Sequence, residues 1–567
     1  MFKELFLRKR YKKYNGEIDP DEIFLDSSNL PKFDKQQFEG QIEKPIGKKT
    51  IFSLGVFFIL VLSVFTSKLF LLQITEGESY LDRGENNRLK HSVIFSERGI
   101  IYDRNGVELV WNEVSDNGDK HAKRNYIDKP GLSHLLGYVG YPLKDDQGNY
   151  YEIETVGKEG VEKIFDEQLS GKNGIKIVEV DALMESQSEL VIQPPQGGKN
   201  LDLTIDADLQ NFMFEAIENL SNEVGFQGGA GVVMDVENGE ILAMTSYPEY
   251  SSDILTNSDD NNKIAEYIFD EKKPFLNRVA SGLYIPGSIV KPIMALGALN
   301  EGVITPDKEI LSTGSISLQN PYYPELKTVF KDWKAHGWVD MRRAIAVSSD
   351  VYFYEIGGGY EDQVGMGITN INKYMRMFGF GESTGIGFSD EAIGVVPNPD
   401  WKAEVFDGED WTVGNTYHTS IGQYGFQVTP IQAVRATAAL ANNGIMLVPV
   451  LVKGDELNKD LVSVMPISKD KFKVAQEGMR DAVTEGTVQG LSVPFVRVAG
   501  KTGTAELGVS KNYVNSWVIG FFPYDKPKYA FTVIMEHGPK ENMIGGLYVM
   551  RQTLEWMNIN RPEYFSK

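Results

Sequence analysis

Apolar positions fall into one long unbroken run near the N-terminus and, beyond it, short periodic stretches. Ile51 to Ser67 (IFSLGVFFILVLSVFTS) is a run of 17 residues without a charge, and after Lys68 the pattern resumes as LFLLQI. A helix over 51–74 would reach about 36 Å at ~1.5 Å per residue, enough to cross a hydrocarbon core with some tilt. Lys68 lies near the end of the run, where its stem can snorkel to the headgroups. A buried helix of a soluble domain would show a polar face over four turns, and this run has none. A cleaved signal peptide would start earlier, be shorter and carry a small-residue cleavage site.

After the run, residues 75–200 predict short strands and helices broken by turns such as Asp103-Arg104-Asn105-Gly106 and Gln147-Gly148-Asn149. Val161, Ile164, Phe165 and Leu169 make a helical stripe within Val156–Ser170. Gln193-Pro-Pro-Gln-Gly-Gly198 reads as a linker and sets the expected domain boundary. From 201 the pattern changes. LDLTID alternates as a strand does, and a helix over Asp206–Leu220 follows, with Asp206 as its N-cap. Ala230–Asp235 and Glu240–Ser246 flank Glu237-Asn238-Gly239 as a hairpin. Residues of about 265–450 read mainly as helices. Arg497–Ala505, Ser516–Phe522 and Tyr529–Glu536 read as strands before a helix near Leu547–Met557. A sheet drawn from both ends of this region, with a helical block between, is α+β or mixed α/β.

Composition narrows the classes. A net charge of −22 excludes a nucleic-acid partner that would need a basic surface. The absence of cysteine removes disulfides, thiolate metal sites and a cysteine nucleophile. Arg8, Lys9, Arg10, Lys12, Lys13, Lys32, Lys35, Lys44, Lys48 and Lys49 precede the run, whereas Arg83, Arg88 and Lys90 follow it. The positive-inside tendency then places the polar tail 1–50 in the cytoplasm and the C-terminal bulk outside.

Three short motifs can carry chemistry. Pro286-Gly287-Ser288-Ile289-Val290-Lys291-Pro292 opens an apolar helical run, with Ser288 at a helix N-terminus and Lys291 one turn on. Unpaired N–H groups there favour developing negative charge, and an amine at i+3 can reach the hydroxyl. Taken alone, Ser-x-x-Lys is usually only a helix cap, and Ser468-Lys469-Asp470-Lys471 repeats the spacing in a polar setting. Ser348-Ser349-Asp350 interrupts an apolar stretch, where Ser348 and Asp350 could merely cap a helix starting at Val351. Lys501-Thr502-Gly503-Thr504 lies on an expected strand, where the glycine would leave an open edge for a docking peptide. The plain alternative is a surface lysine before a turn.

In this order, Ser-x-x-Lys, Ser-x-Asn/Asp and Lys-Thr-Gly resemble the penicillin-binding protein and serine β-lactamase superfamily. The first serines of the first two motifs are 60 residues apart, and Lys501 follows 153 residues later. Arg98-Gly-Ile-Ile-Tyr-Asp-Arg-Asn-Gly106 and Gly157-Lys-Glu-Gly-Val-Glu162 resemble segments of class B, transpeptidase-only members; Thr416–Gln423 and Thr429–Gln432 resemble their active-site floor. Asp350, where many members have Asn, is most similar to the elongation-type penicillin-binding protein 2 group. Two departures stand out. The usual Gly-Gln-Gly is Gly422-Gln423-Tyr424-Gly425, and the stretch between Gly106 and Gly137 is short.

The resemblance implies an α+β chain with a tail (1–50), a transmembrane helix (51–74), an elongated pedestal (75–198) and a transpeptidase domain (199–567), the last an antiparallel sheet with an inserted helical subdomain. It implies that Lys291 activates Ser288 to attack the penultimate D-alanine carbonyl of a peptidoglycan stem peptide. Ser348 would relay a proton with the Lys291/Lys501 pair, and Asp350 would orient the site. Lys501, Thr502, Gly503 and Thr504 would hold the terminal carboxylate, with an oxyanion hole from the Ser288 and Thr504 N–H groups. β-Lactams would acylate the same serine, and no cofactor or metal is expected. The implied partners are the membrane, a SEDS-type glycan polymerase and elongation scaffold proteins. The implied location is the cytoplasmic membrane, single-pass, with the N-terminus inside. A division-type enzyme, a carboxypeptidase or β-lactamase, and a non-catalytic relative remain as alternatives; a bifunctional polymerase would need a domain for which 125 residues leave no room.

Overall fold

The computed structural model describes residues 47–115, 120–180, 186–258, 260–319, 323, 325–454, 463–508, 511–541 and 544–565. The chain forms two compact units, Met1–Leu89 and Lys90–Lys567. In the first, α1 (Lys48–Phe70) continues through one wider helical turn, Leu71–Thr75, with no buried residue. Lys48–Thr75 is long and apolar enough to cross a membrane by length and composition. The polar helix α2 (Gly77–Arg88) follows. The basic tail residues Arg8 to Lys44 lie outside the described residues.

In the second unit, β2 (Ile101–Tyr102), β3 (Glu108–Glu113), β4 (Lys123–Tyr126) and β7 (Leu201–Asp202) form a sheet of order β4-β3-β2-β7. A three-stranded sheet has the order β1 (Leu89–Ile94), β5 (Gly174–Val180), β6 (Ser186–Gln193). The helical stripe of Val161, Ile164 and Leu169 lies on two short helices, α3 (Gly160–Ile164) and Asp166–Ser170, separated at Phe165 and preceded by a two-residue strand at 156–157. Glu162, within α3, is fully buried and held from both sides. Its carboxylate accepts from Arg98 Nε at 2.6 Å and Arg124 Nε at 2.8 Å, and Arg98 also pairs with Asp166 at 2.7 Å. The Arg98–Gly106 and Gly157–Glu162 motifs are thus two halves of one buried ion network. Gly198, in the expected linker, donates its N–H to Glu97 and sits against the Leu169 carbonyl, which a Cβ there would meet at 1.8 Å.

The larger sheet follows the expected pattern. Asp206 caps α4 (Ala207–Val224) through the N–H groups of Asp208 and Leu209. The hairpin strands are β8 (Gly228–Asp235) and β9 (Ile241–Tyr247). The C-terminal strands are β10 (Ala499–Leu507), β11 (Tyr513–Phe522) and β12 (Tyr529–Pro539). All pair antiparallel in the order β9-β8-β12-β11-β10, which makes β10 an edge. Alternate side chains feed two cores: Val232 and Met234 enter one, Val233 the other. Between β9 and β10 runs a mainly helical block that includes α5 (Lys291–Asn300), α6 (Met341–Val347), α7 (Asp350–Gly358), α8 (Val413–Ser420), α9 (Pro430–Ala441) and α10 (Lys469–Glu485). It also holds short strand pairs, 310–312 with 337–339 and 315–319 with 327–331, which hydropathy did not indicate.

Candidate active site

Ser288 sits on a 3-10 turn, Gly287–Val290, that leads directly into α5, with Lys291 as the first residue of that helix. The turn is wedged between two close approaches. Gly287 (φ +56°) donates its N–H to the Gly422 carbonyl at 3.0 Å, and a Cβ on Gly422 would lie 2.2 Å from the Gly287 oxygen. A Cβ on Gly503 would lie 2.8 Å from the Pro286 oxygen and 2.9 Å from Ile289. Gly503 therefore does more than open the edge of β10; it lets that strand lie against the Ser288 turn.

Lys291 is fully buried and its ammonium group is fully engaged. Nζ donates to the Ser348 carbonyl at 2.8 Å, to Ser348 Oγ at 3.2 Å and to Asp350 Oδ1 at 2.6 Å, and it lies 5.4 Å from the centre of the Phe353 ring. Ser288 Oγ has no hydrogen-bond partner among the described residues. The first two motifs, 60 residues apart, thus converge on one amine.

The capping alternative for the second motif is answered by the residue between. Ser349 caps α7, accepting from the Tyr352 N–H at 3.3 Å. Ser348 ends α6 in the left-handed conformation (φ +58°), and its side chain and that of Asp350 turn to Lys291. Asp332, which belongs to no motif, anchors this loop from below. Its buried carboxylate accepts from Ser349 Oγ (2.9 Å), Val351 N (3.0 Å), Ser312 Oγ (3.2 Å) and Trp333 N (2.8 Å). Trp333 Nε1 in turn donates to the Ser348 carbonyl at 3.3 Å. Nearby His336 is held below its ordinary pKa by burial, a fall that Asp332 partly offsets. Only the Asp332/His336 spacing of four residues could have drawn attention to this group in the sequence, and such pairs are common.

The third motif completes the site. Lys501 is fully buried, not a surface lysine, and donates to the Thr502 carbonyl at 2.9 Å. Burial, and then the charge of Lys291, hold it well below the usual lysine range, with Asp350 pulling the other way. Thr502 and Thr504 share the other face of β10 by alternation, and the Thr502 hydroxyl donates to Thr487 at 3.0 Å. Thr504 is exposed, and its carbonyl would meet a Cβ on Gly287 at 3.2 Å, which brings it alongside the nucleophile turn. The look-alike Ser468 begins α10 with no side-chain capping bond, and Lys471 donates to Asn300 instead. It has neither companion motif.

The family model for the penicillin binding protein transpeptidase domain matches residues 229–549, more than half of the chain. The chain belongs to this family. A model for the penicillin-binding protein dimerisation domain matches residues 117–203 ahead of the transpeptidase domain. Among curated relatives, peptidoglycan D,D-transpeptidase MrdA of Acinetobacter baumannii is 29% identical over 88% of this chain and 86% of its own length. The solved complex of penicillin-binding protein 2 with MreC from Helicobacter pylori superposes with a TM-score of 0.69 at 28% identity, covering 83% of this chain and 99% of that one. A structure describing how a peptidoglycan synthase complex coordinates polymerization and crosslinking gives 0.69 at 26% identity, covering 90% and 97%.

Proposed function

We propose that this protein is a penicillin-sensitive serine peptidoglycan D,D-transpeptidase of the elongation type, with Ser288 as nucleophile. The observation that carries the residue assignment is the meeting of Ser348 and Asp350 on the Lys291 amine one turn from Ser288. Relatives named peptidoglycan D,D-transpeptidase MrdA support the reaction and the elongation class.

In the resting arrangement Lys291 is ion-paired with Asp350. Burial holds Lys501 as a neutral amine. The substrate's terminal carboxylate, entering beside it, supplies the charge that lets it take the Lys291 proton by way of Ser348, which leaves Lys291 as the base. Lys291 then takes the Ser288 proton while Oγ attacks the penultimate D-alanine carbonyl. The N–H groups of Ser288 and Thr504 receive the oxyanion. Collapse breaks the peptide bond, and Ser348 delivers a proton to the departing D-alanine amine. An amine of a second stem peptide attacks the ester, forms the cross-link and returns Ser288 to its hydroxyl form. Lys501, Thr502, Gly503 and Thr504 hold the terminal carboxylate.

The same reading divides the chain into tail (1–50), membrane helix (51–74), pedestal (75–198) and transpeptidase domain (199–567). The apolar helix supports a single-pass anchor in the cytoplasmic membrane, and the basic flank a cytoplasmic N-terminus. The MreC complex and the synthase complex among the structural neighbours support a scaffold partner and a glycan polymerase of the SEDS type. A fluorescent penicillin tests the core of the proposal. Wild type should form a covalent adduct and Ser288→Ala none; an unlabelled wild type, or a labelled Ser288→Ala, would overturn it.

A further inference from the structure

At the far edge of the large sheet, the segment 126–136 meets α4 and the segment 249–253 around a cavity of about 300 Å3. The register of the sheet gives its position. Tyr247, the last residue of β9, lies in one cross-strand row with Gly229, Met535, Ser516 and Thr504. The cavity is therefore four strand spacings from the edge that borders Ser288, about 19 Å at ~4.8 Å each. Glu249 follows Tyr247 by two residues and lines the cavity. The facing loop is fixed in place. Gly131 (φ +92°) has no room for a side chain, since a Cβ there would meet Phe214 of α4 at 2.7 Å. Its carbonyl accepts from Gln210 Nε2 at 2.6 Å and from Thr245 Oγ1 at 3.2 Å. The N–H groups of Gly131 and Ser133 are thereby locked onto the two Glu249 oxygens, at 2.6 and 2.9 Å.

The charge on the lining is one-sided. Asp128, Glu218, Glu249 and Asp253 are all there, and the one basic side chain, Lys129, is ion-paired with Asp208. Burial pushes Glu249 up to about 7 although the Gly131 and Ser133 N–H groups pull it down, and Glu218 adds the repulsion of a like charge. Ser252 lines the same cavity, is 5% exposed, and its hydroxyl has no partner among the described residues. Buried charges are normally paired and buried hydroxyls bonded, so both features suit a ligand that brings positive charge and N–H donors. The kind of cation follows from the acceptors. Among the described residues no group of three or more His, Asp or Glu side chains converges as a metal ion requires. Both Glu249 oxygens already accept a backbone N–H, which leaves no free pair for the parallel fork of a guanidinium. An ammonium is a point charge with three donors and needs only one lone pair from each neighbour. Leu132 and Phe214 line the rest, and an alkyl stem can lie along them.

We propose that this cavity is a second binding site, separate from the Ser288 cleft, for a primary ammonium group on an alkyl stem. The ammonium sits between Glu249 and Glu218 with the Ser252 hydroxyl as a further acceptor, and the stem lies on Leu132 and Phe214. A free alkylamine and the side chain of a lysine in a polypeptide both carry that chemistry. Its binding ties the segment 126–136 more firmly to α4 and to the segment after β9.

The test uses the full-length enzyme in detergent at pH 8, where Glu249 is ionised. It is titrated by calorimetry with butylammonium, with neutral 1-butanol, and with a short acetylated peptide amide that bears one lysine. Butylammonium should bind saturably, about tenfold tighter than butanol, and slow hydrogen exchange in residues 126–136 and 249–257. Glu218→Gln and Glu249→Gln should each weaken that binding by about tenfold, with penicillin labelling at the wild-type rate. Glu218, only half-buried on α4, decides the matter should Glu249→Gln fail to fold. A lysine peptide that binds as tightly as butylammonium supports the site as one for a polypeptide side chain; binding of the free amine alone supports it as one for a small amine. No saturable binding of either amine overturns the proposal, as does butanol binding equally well or an affinity unchanged in Glu218→Gln. Loss of penicillin labelling in Glu218→Gln overturns the separation of this site from the Ser288 cleft.

Discussion

Replacing Asp332 should damage the site without touching any of its motifs. Its side chain is fully buried, and four donors converge on it: two backbone N–H groups and two hydroxyls. The hydroxyls can turn to other acceptors, but the Val351 and Trp333 N–H groups cannot. In Asp332→Asn the amide places an NH2 toward one of those fixed donors, and the surviving bonds lose their charge assistance. Hydrogen bonds to charged groups contribute about 1.5–3 kcal/mol against ~0.5–1.5 for neutral ones, so the Asn variant should lose about 2–3 kcal/mol. Asp332→Ala leaves the fixed donors unpaired and should lose about 4–5 kcal/mol.

The larger consequence falls on Ser348. Its left-handed backbone costs about 1–2 kcal/mol and persists because Asp332 holds Ser349 and Val351 just beyond it. Once released, the loop relaxes by that amount, and the Ser348 contacts to Lys291 are lost from most molecules. At ~1.4 kcal/mol per decade, penicillin acylation per folded molecule should fall about tenfold in Asp332→Asn, and further in Asp332→Ala. Urea unfolding gives the stability change, and the second-order acylation rate, corrected for folded fraction, gives the site effect. Ser349→Ala is the graded control, since it removes the α7 cap at a cost of about 1 kcal/mol. If Asp332→Ala is destabilised but acylates at the wild-type rate per folded molecule, the anchoring argument is wrong.

Lys501→Met should abolish acylation, by at least about a hundredfold, while leaving unfolding stability equal or higher by about 1–2 kcal/mol, because a desolvated amine is replaced by an apolar chain. A loss of stability would mean that the amine is held more favourably than its burial implies. Glu249 is pushed up to about 7 by burial, against partial compensation from the Gly131 and Ser133 N–H groups at 2.6 and 2.9 Å. The folded state therefore keeps this proton where the unfolded chain has lost it, so its contribution falls as pH rises from about 4.5 to about 7, by ~3 kcal/mol in all. Buried His134, lowered to about 4, acts in the opposite sense as pH falls below 6.5, so the wild-type minus Glu249→Gln difference in urea stability across pH isolates the carboxyl. Glu162→Ala strands Arg98 and Arg124 without their shared carboxylate and should cost about 3–5 kcal/mol, with hydrogen exchange rising first in residues 98–170.

Much of the site was legible because its chemistry is written locally. A serine and a lysine three apart on a helix, or a lysine and a glycine two apart on a strand, meet their neighbours through fixed geometry. The same locality explains the Asp206 cap, the 230–246 hairpin and the three C-terminal strands. What locality cannot supply is which of several adjacent residues takes which task. Ser348, Ser349 and Asp350 are equivalent capping candidates in sequence, and only the position of Asp332 decides that Ser349 caps while its neighbours turn to Lys291. Glu162 is a related case. The stripe of Val161, Ile164 and Leu169 marked the helices of 160–170, but the burial of the carboxylate next to Val161 depends on Arg98 and Arg124, which come from other segments.

Tyr424 is the opposite case, because there local preference pointed away from the observed backbone. A tyrosine in place of glycine argued against a left-handed turn, yet the turn persists. The glycine has moved one residue on, to where Trp401 leaves no room for a side chain. Exchanging the order of those two residues leaves the backbone route past Gly287 intact and adds a ring facing Phe406, Trp401 and Trp411. A sequence that preserves a close approach while placing an aromatic residue at a strained position is sacrificing local stability for that ring. Its contacts with the three rings of Trp401, Phe406 and Trp411 offset part of that cost.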